Sequence, residues 1–225
     1  MRTPSRIALS LLGSTALLVA GATAAHASGY VYVYDETTLA VYSGGVQGTG
    51  LGTGTLSTPS PFSLVHSCGS AQFSAAASGT GAWGFGSFTM NCTNNKAGTT
   101  TLTSSLIRTT GAQYSPVAGG RNGYLATPLF DRDTAVQVVM TLPALGIPAV
   151  RCTYGLTSSN PVRFDWFDRA NPNRPVPANA HAQLALTGQS FQRLYGDTWC
   201  SASLGITATF QVLAQPSGHD LRLIP

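Results

Sequence analysis

At 225 residues with only 9% charged side chains and a formal net charge of +4, the chain is long enough for one domain with a sizeable core and too weakly basic for a phosphate-rich partner. Two of its twelve basic residues, Arg2 and Arg6, fall in an N-terminal leader, so 10 basic side chains face 8 acidic ones in the remainder. The other arginines are scattered, which excludes a basic stripe of the kind that tracks a nucleic-acid backbone.

Residues 1–27 read as a secretory signal. Arg2 and Arg6 precede an apolar run from Ile7 to Ala20, and Ala25-His26-Ala27 has the small-x-small pattern of a signal-peptidase site. A transmembrane helix needs about 20 apolar residues, and this run is shorter and interrupted by Gly13 and Ser14. No later stretch is long enough for a membrane span in the mature chain. The expected location is secreted, outside the cell, and four cysteines suit that oxidising compartment.

Residues 28–61 read as an N-terminal hairpin and a Gly-rich linker. Tyr30 to Tyr34 and Leu39 to Tyr42 are strand-like runs around Asp35-Glu36-Thr37-Thr38, with Tyr30, Tyr32 and Tyr34 expected to cover a neighbouring sheet. The stretch GGVQGTGLGTGTLSTPSP is poor in side chains and rich in glycine, which predicts a flexible linker and makes the hairpin a detachable arm. Gly79, Gly81 and Gly84 fit a dinucleotide fingerprint by spacing alone, but strand-like residues follow them where a helix N-terminus is needed.

Residues 62–225 read as a two-disulfide β-sandwich domain. In FSLVHSC, AVQVVMTL, AVRCTYGLT and ITATFQV the even positions are predominantly apolar while most odd ones are polar, the two-residue period of antiparallel strands packed on one face. About nine to eleven such strands predict an all-β, antiparallel sandwich with Greek-key or jelly-roll-like connections. ANAHAQLALTGQSFQRL has a helical look, but Gly188 in its middle limits it to a short helix or turn. Cys68 and Cys92 bracket two apolar runs around a Gly/Ser turn, a hairpin-like spacing that favours Cys68 with Cys92 and Cys152 with Cys200, although four cysteines permit three connectivities. Cys68, Cys92 and Cys152 lie on the apolar faces, so the bridges are expected to be buried.

The combination of a signal peptide with CGSAQFS…GSFTMNC and RCTYGL…CSASLGITATFQV resembles small secreted two-disulfide proteins of actinobacteria with no established activity. The resemblance covers most of the mature chain and implies no catalytic residues. A single lysine, Lys96, and a single glutamate, Glu36, are consistent with a GC-rich source.

Motifs that carry chemistry are absent: there is no G-x-S-x-G, H-E-x-x-H or C-x-x-C, and no metal or cofactor site is predicted. His66 lies on an apolar face and reads as a core histidine, while His219 near the terminus reads as solvated. His181, with Asp165 and Asp168 in the same loop-rich region, is the candidate base of an alternative reading as a secreted hydrolase. Asp131 and Asp133 supply too few oxygens for calcium.

Two aromatic groups are candidate ligand surfaces. Counted back from Cys92, Trp83 and Phe85 stand on the outer face of their strand between glycines, unless a bulge at Gly84 or Gly86 shifts the parity and returns both rings to the core. Phe164, Trp166 and Phe167 lie in a loop-rich excursion inside the second disulfide, where Phe164 and Trp166 could alternatively be core residues of one strand. The expected role is therefore non-enzymatic binding or structure at the cell exterior. Its partner would be an envelope glycan, a small apolar ligand or another protein, the last including an inhibitor or effector role.

Overall fold

The computed structural model describes residues 31–59, 62–104, 107–108, 111–126, 134–156 and 161–225. Residues 1–27, expected as a signal, and Tyr30, Asp131 and Asp133 lie outside them. The strands are β1 (Tyr32–Asp35), β2 (Ala40–Val41), β3 (Gly44–Gly50), β4 (Gly54–Thr58), β5 (Leu64–Ala77), β6 (Trp83–Asn94), β7 (Thr99–Ser104) and β8 (Ile107–Arg108). They continue as β9 (Ala112–Tyr114), β10 (Gly123–Ala126), β11 (Ala135–Leu142), β12 (Ile147–Gly155), β13 (Arg163–Phe167), β14 (Gln183–Gly196), β15 (Ser203–Gln215) and β16 (Leu221–Ile224). One 3₁₀ turn, Pro143–Leu145, is the only helical element among the described residues.

The architecture is an all-β antiparallel sandwich, and its hydrogen bonding runs round to close on itself. In ring order, β15, β4, β5, β6, β7, β11, β12 and β14 pair successively, and β14 pairs back to β15. Closure leaves these eight strands without a free edge over the paired segments. The long strands β5, β6, β14 and β15 extend beyond this ring. There β3 bridges β5 and β15, β8 adds to β6, and β13, β10 and β9 continue from β14. The strands outnumber the sequence expectation because single strand positions are shared by two short segments, such as β3 and β4.

Even-numbered burial holds in three of the four stretches, apart from half-buried Phe62; in AVRCTYGLT, Val150, Cys152 and Tyr154 are buried but so are Thr153 and Gly155 between and beside them. Leu64, His66 and Cys68, the set Val136, Val138, Met140 and Leu142, and the set Ile206, Ala208, Phe210 and Val212 are all buried. The bridges are Cys68–Cys92, a directly opposed pair of β5 and β6, and Cys152–Cys200. All four cysteines are buried, and closing loops of 24 and 48 residues stabilises the fold by roughly 3 to 4 kcal/mol each in the chain-entropy model.

The Gly-rich stretch is not a linker. Gly44–Gly50 and Gly54–Thr58 are inserted between β5 and β15 and pair on both sides, so residues 28–61 are not a separate unit and the hairpin is no detachable arm. Glycine is needed here for close approach rather than flexibility: a Cβ on Gly48 would lie 1.9 Å from the Phe73 ring. Phe73 is held by Phe85 at 4.9 Å and Phe210 at 5.2 Å, so it has little room to yield. Gly48→Ala is expected to destabilise the protein by about 2 to 3 kcal/mol, the upper part of the range for overpacking. Adding Phe73→Leu should cost less than the sum of the two single changes, as measured by urea unfolding. A fully additive pair would refute the steric account.

The terminal segments form a small sheet in the order β16-β1-β2, docked onto the same core through Val31, Val33, Leu221 and Leu223. Among the described tyrosines of this segment Tyr32 is exposed and Tyr34 half-buried while Val33 is fully buried, reversing the expected parity. Buried Asp35 fastens this sheet by accepting the Thr37 and Thr38 amides and His219 Nδ1 at 3.0 Å. Burial raises the Asp35 carboxyl, and these hydrogen bonds and the neighbouring His219 outweigh it, holding the group below its ordinary range.

The segment with a helical look is strand β14 from Gln183 onward. Gly188 adopts φ +58° at the irregularity between Leu186 and Gln189, where β14 shifts register against β15.

Candidate functional site

Two bulges decide which side chains meet solvent. The register between β5 and β6 shifts at Gly69 and at Gly86, so on β6 the inward set changes from Phe88, Met90 and Cys92 to Trp83 and Phe85. Each bulge inserts one unpaired residue and reverses the alternation beyond it.

By register, a continuous row of uncharged hydrogen-bonding groups crosses the sheet, exposed or half-buried except at Thr153, which is 7% exposed. Thr49 of β3 is opposite Gln72 of β5, which is followed across the sheet by Thr89 of β6, Thr103 of β7, Gln137 of β11, Thr153 of β12 and Tyr195 of β14. At a strand spacing of ~4.8 Å this surface path is about 29 Å long. Parallel rows flank it: Ser70, Asn91 and Thr101 on one side, leading on to Val139 and the charged Arg151, and Ser74 with Ser87, their hydroxyls 2.8 Å apart, on the other.

Two grooves lie along this face and share Ser87. One, of about 430 Å³, runs from Ser87 and Thr89 past Thr103 and Gln137 to Tyr195. The other, of about 370 Å³, is lined by Gln47, Gln72, Ser74 and Gln215. Among the described residues no charged side chain lines either groove. Hydroxyls and carboxamides both donate and accept, which suits a ligand whose own groups do both. Tyr195 closes the row with 66% of its surface exposed. It is placed there by a further bulge, since β14 slips one residue against β12 between Arg193 and Tyr195, leaving Leu194 and Tyr195 both outside.

No family model, curated protein or solved structure matches the chain.

The aromatic surfaces expected from the sequence are interior. Trp83, Phe85, Phe164, Trp166 and Phe167 are all buried. Phe85 stacks on Phe164 at 4.9 Å and Trp83 meets Trp166 edge-on at 5.6 Å. The bulge at Gly86 returns the first pair to the core. Phe164 and Trp166 alternate inward along β13, while Phe167 is buried at its end.

The alternative catalytic grouping is not assembled either. His181 Nδ1 lies 3.2 Å from both carboxylate oxygens of Asp220, not beside Asp165 or Asp168. Asp165 is held by Arg163 at 2.9 Å and Arg121 at 3.5 Å. Asp168 accepts Trp166 Nε1–H at 2.7 Å and the Leu223 amide at 3.1 Å, and burial, outweighing these bonds, pushes its carboxyl above the ordinary range. Among the described residues no serine, threonine or cysteine side chain is hydrogen-bonded to His181, and no group of three or more His, Cys, Asp or Glu could hold a metal. His219 is paired with Asp35 rather than freely solvated.

The residues missed by sequence reasoning are the odd-numbered partners of the apolar positions. Thr101 and Thr103 in TTTLTS alternate with Thr100 and Leu102, so a polar face was legible. Its continuity was not, because alignment across seven strands is a property of register. Tyr195 carried no signal, since its exposure depends on the β14 bulge.

Proposed function

We propose that the mature chain is a secreted, non-catalytic binding module whose row of uncharged outward side chains holds a neutral glycan of the cell exterior. The observation that carries this reading is the unbroken row from Thr49 to Tyr195, free of charge and ended by an exposed aromatic ring. A neutral polyhydroxylated chain complements such a surface in both hydrogen-bonding capacity and charge, and a sugar ring can lay its C–H face on Tyr195. The length of the row suits several linked sugar units rather than one. Two buried disulfides and the leader at residues 1–27 are in keeping with export.

The test is an array of neutral hexasaccharides, glucan, mannan, galactan and xylan, followed by calorimetric titration of the best binder. Thr103→Arg, which places a long charged side chain at the middle of the row, and Tyr195→Ala should each weaken binding by about tenfold or more with an unchanged thermal midpoint; about 1.4 kcal/mol corresponds to tenfold. The bound hexasaccharide should be recovered unshortened after prolonged incubation. Absence of binding to every neutral hexasaccharide would refute the glycan reading, and cleavage lost in His181→Ala would establish the hydrolase instead.

A further inference from the structure

We propose that the chain carries a second sugar site on the opposite face and so bridges two glycan strands. This rests on the glycan reading of the first face. In the closed ring of eight strands, the first groove, from Ser87 to Tyr195, is centred on β7 and β11, four places from β15 and β4, so the outer side of β15 and β4 looks the other way. By register, Ser57 of β4 lies between Val65 of β5 and Gly205 of β15, and Gly205 is opposite Ser190 of β14. These residues, with Ser63 and Ser203, line a groove of about 380 Å³, to which no charged side chain among the described residues contributes. Gly205 keeps its floor bare, since a Cβ there would lie 2.7 Å from Ser57 Oγ.

An aromatic pair stands beside this groove. The Phe62 and Trp199 rings are 5.4 Å apart and inclined at 32°, Phe62 directly precedes the lining residue Ser63, and Trp199 is 45% exposed. Trp199 is the exposed tryptophan of the chain, in contrast to buried Trp83 and Trp166. Its backbone is fixed on both sides. Cys200 is bridged to Cys152 and its carbonyl accepts Arg193 Nη1 at 2.7 Å, while Asp197 donates its amide to the Arg151 carbonyl and accepts the Arg151 amide at 2.7 Å. A large, pre-positioned ring beside a groove whose serines alternate with Pro59, Leu64 and Val65 offers a sugar ring both apolar contact for its C–H face and hydroxyl partners at low ordering cost. Tyr195, at the end of the first groove, directly precedes this fixed segment, so one chain presents two grooves centred on opposite sides of the ring. A protein with two such sites joins separate polymer chains, and its apparent hold on a polysaccharide network rises with no new contact.

The test uses the hexasaccharide selected by the array and the polymer from which it derives. Wild type should bind two hexasaccharides per chain and should cross-link the polymer. Light scattering would then rise to a maximum with added protein and fall at protein excess. Trp199→Ala and Ser57→Arg should each bind one hexasaccharide and leave the polymer soluble, and Ser57→Arg decides the matter if Trp199→Ala fails to fold. One hexasaccharide per wild-type chain with no cross-linking would overturn the second site while leaving the first intact. No hexasaccharide bound by wild type would overturn both.

Discussion

Replacing Trp83 with alanine is expected to lower the unfolding free energy by about 3 to 5 kcal/mol, the range for emptying a buried aromatic site. Trp83 is 5% exposed and packs edge-on against Trp166 at 5.6 Å, within an aromatic group in which Phe85 joins Phe73 and Phe164. Truncation would remove the ring's buried surface and its geometric pairing, and neighbours held by their own ring contacts can refill the space only in part. Tyr195→Ala and Trp199→Ala, which remove exposed rings, should leave stability within about 1 kcal/mol of wild type. Urea unfolding of the three variants gives the comparison. A Trp83→Ala loss below about 1 kcal/mol would mean that the ring is not part of the core.

Lowering the pH from 6.5 to 4 should remove about 3 kcal/mol of stability through His66 alone. His66 is 1% exposed, with Nδ1 2.8 Å from Thr100 Oγ1 and Nε2 buried without a hydrogen-bond partner among the described residues. Desolvation lowers its pKa from 6.5 to about 4, so the folded protein keeps the ring neutral while the unfolded chain takes up a proton. The unfolded state therefore binds more protons between these values. The contribution is fully present above pH 6.5 and is lost as the pH falls towards 4. Glu36 and Asp168, whose carboxyls burial raises, act in the opposite direction, so the informative quantity is a difference. His66→Leu should lose less stability than wild type over this interval, by about 3 kcal/mol, as measured by chemical denaturation at a series of pH values. Parallel wild-type and variant curves would show that His66 does not titrate across it.

The two-residue alternation determined the strand character of the chain and the buried side of most of its strands, because each period-2 run is a local property of consecutive residues. The hairpin spacing of Cys68 and Cys92 likewise pointed to the observed bridges. Tertiary structure decided everything that depends on one strand's position against another. GGVQGTGLGTG lacks the side chains that mark a strand, yet it lies between β5 and β15 because Phe73 needs bare backbone at Gly48. Trp83 and Phe85 reversed their face at a bulge that one glycine makes possible but does not announce. His181 found Asp220, 39 residues away, through the closing of the terminal sheet rather than the nearer Asp165 and Asp168. The candidate site is the extreme case. Its threonines and glutamines were visible as the polar half of each alternation, but a row across seven strands exists only once the register of each pair is set by contacts far apart in sequence.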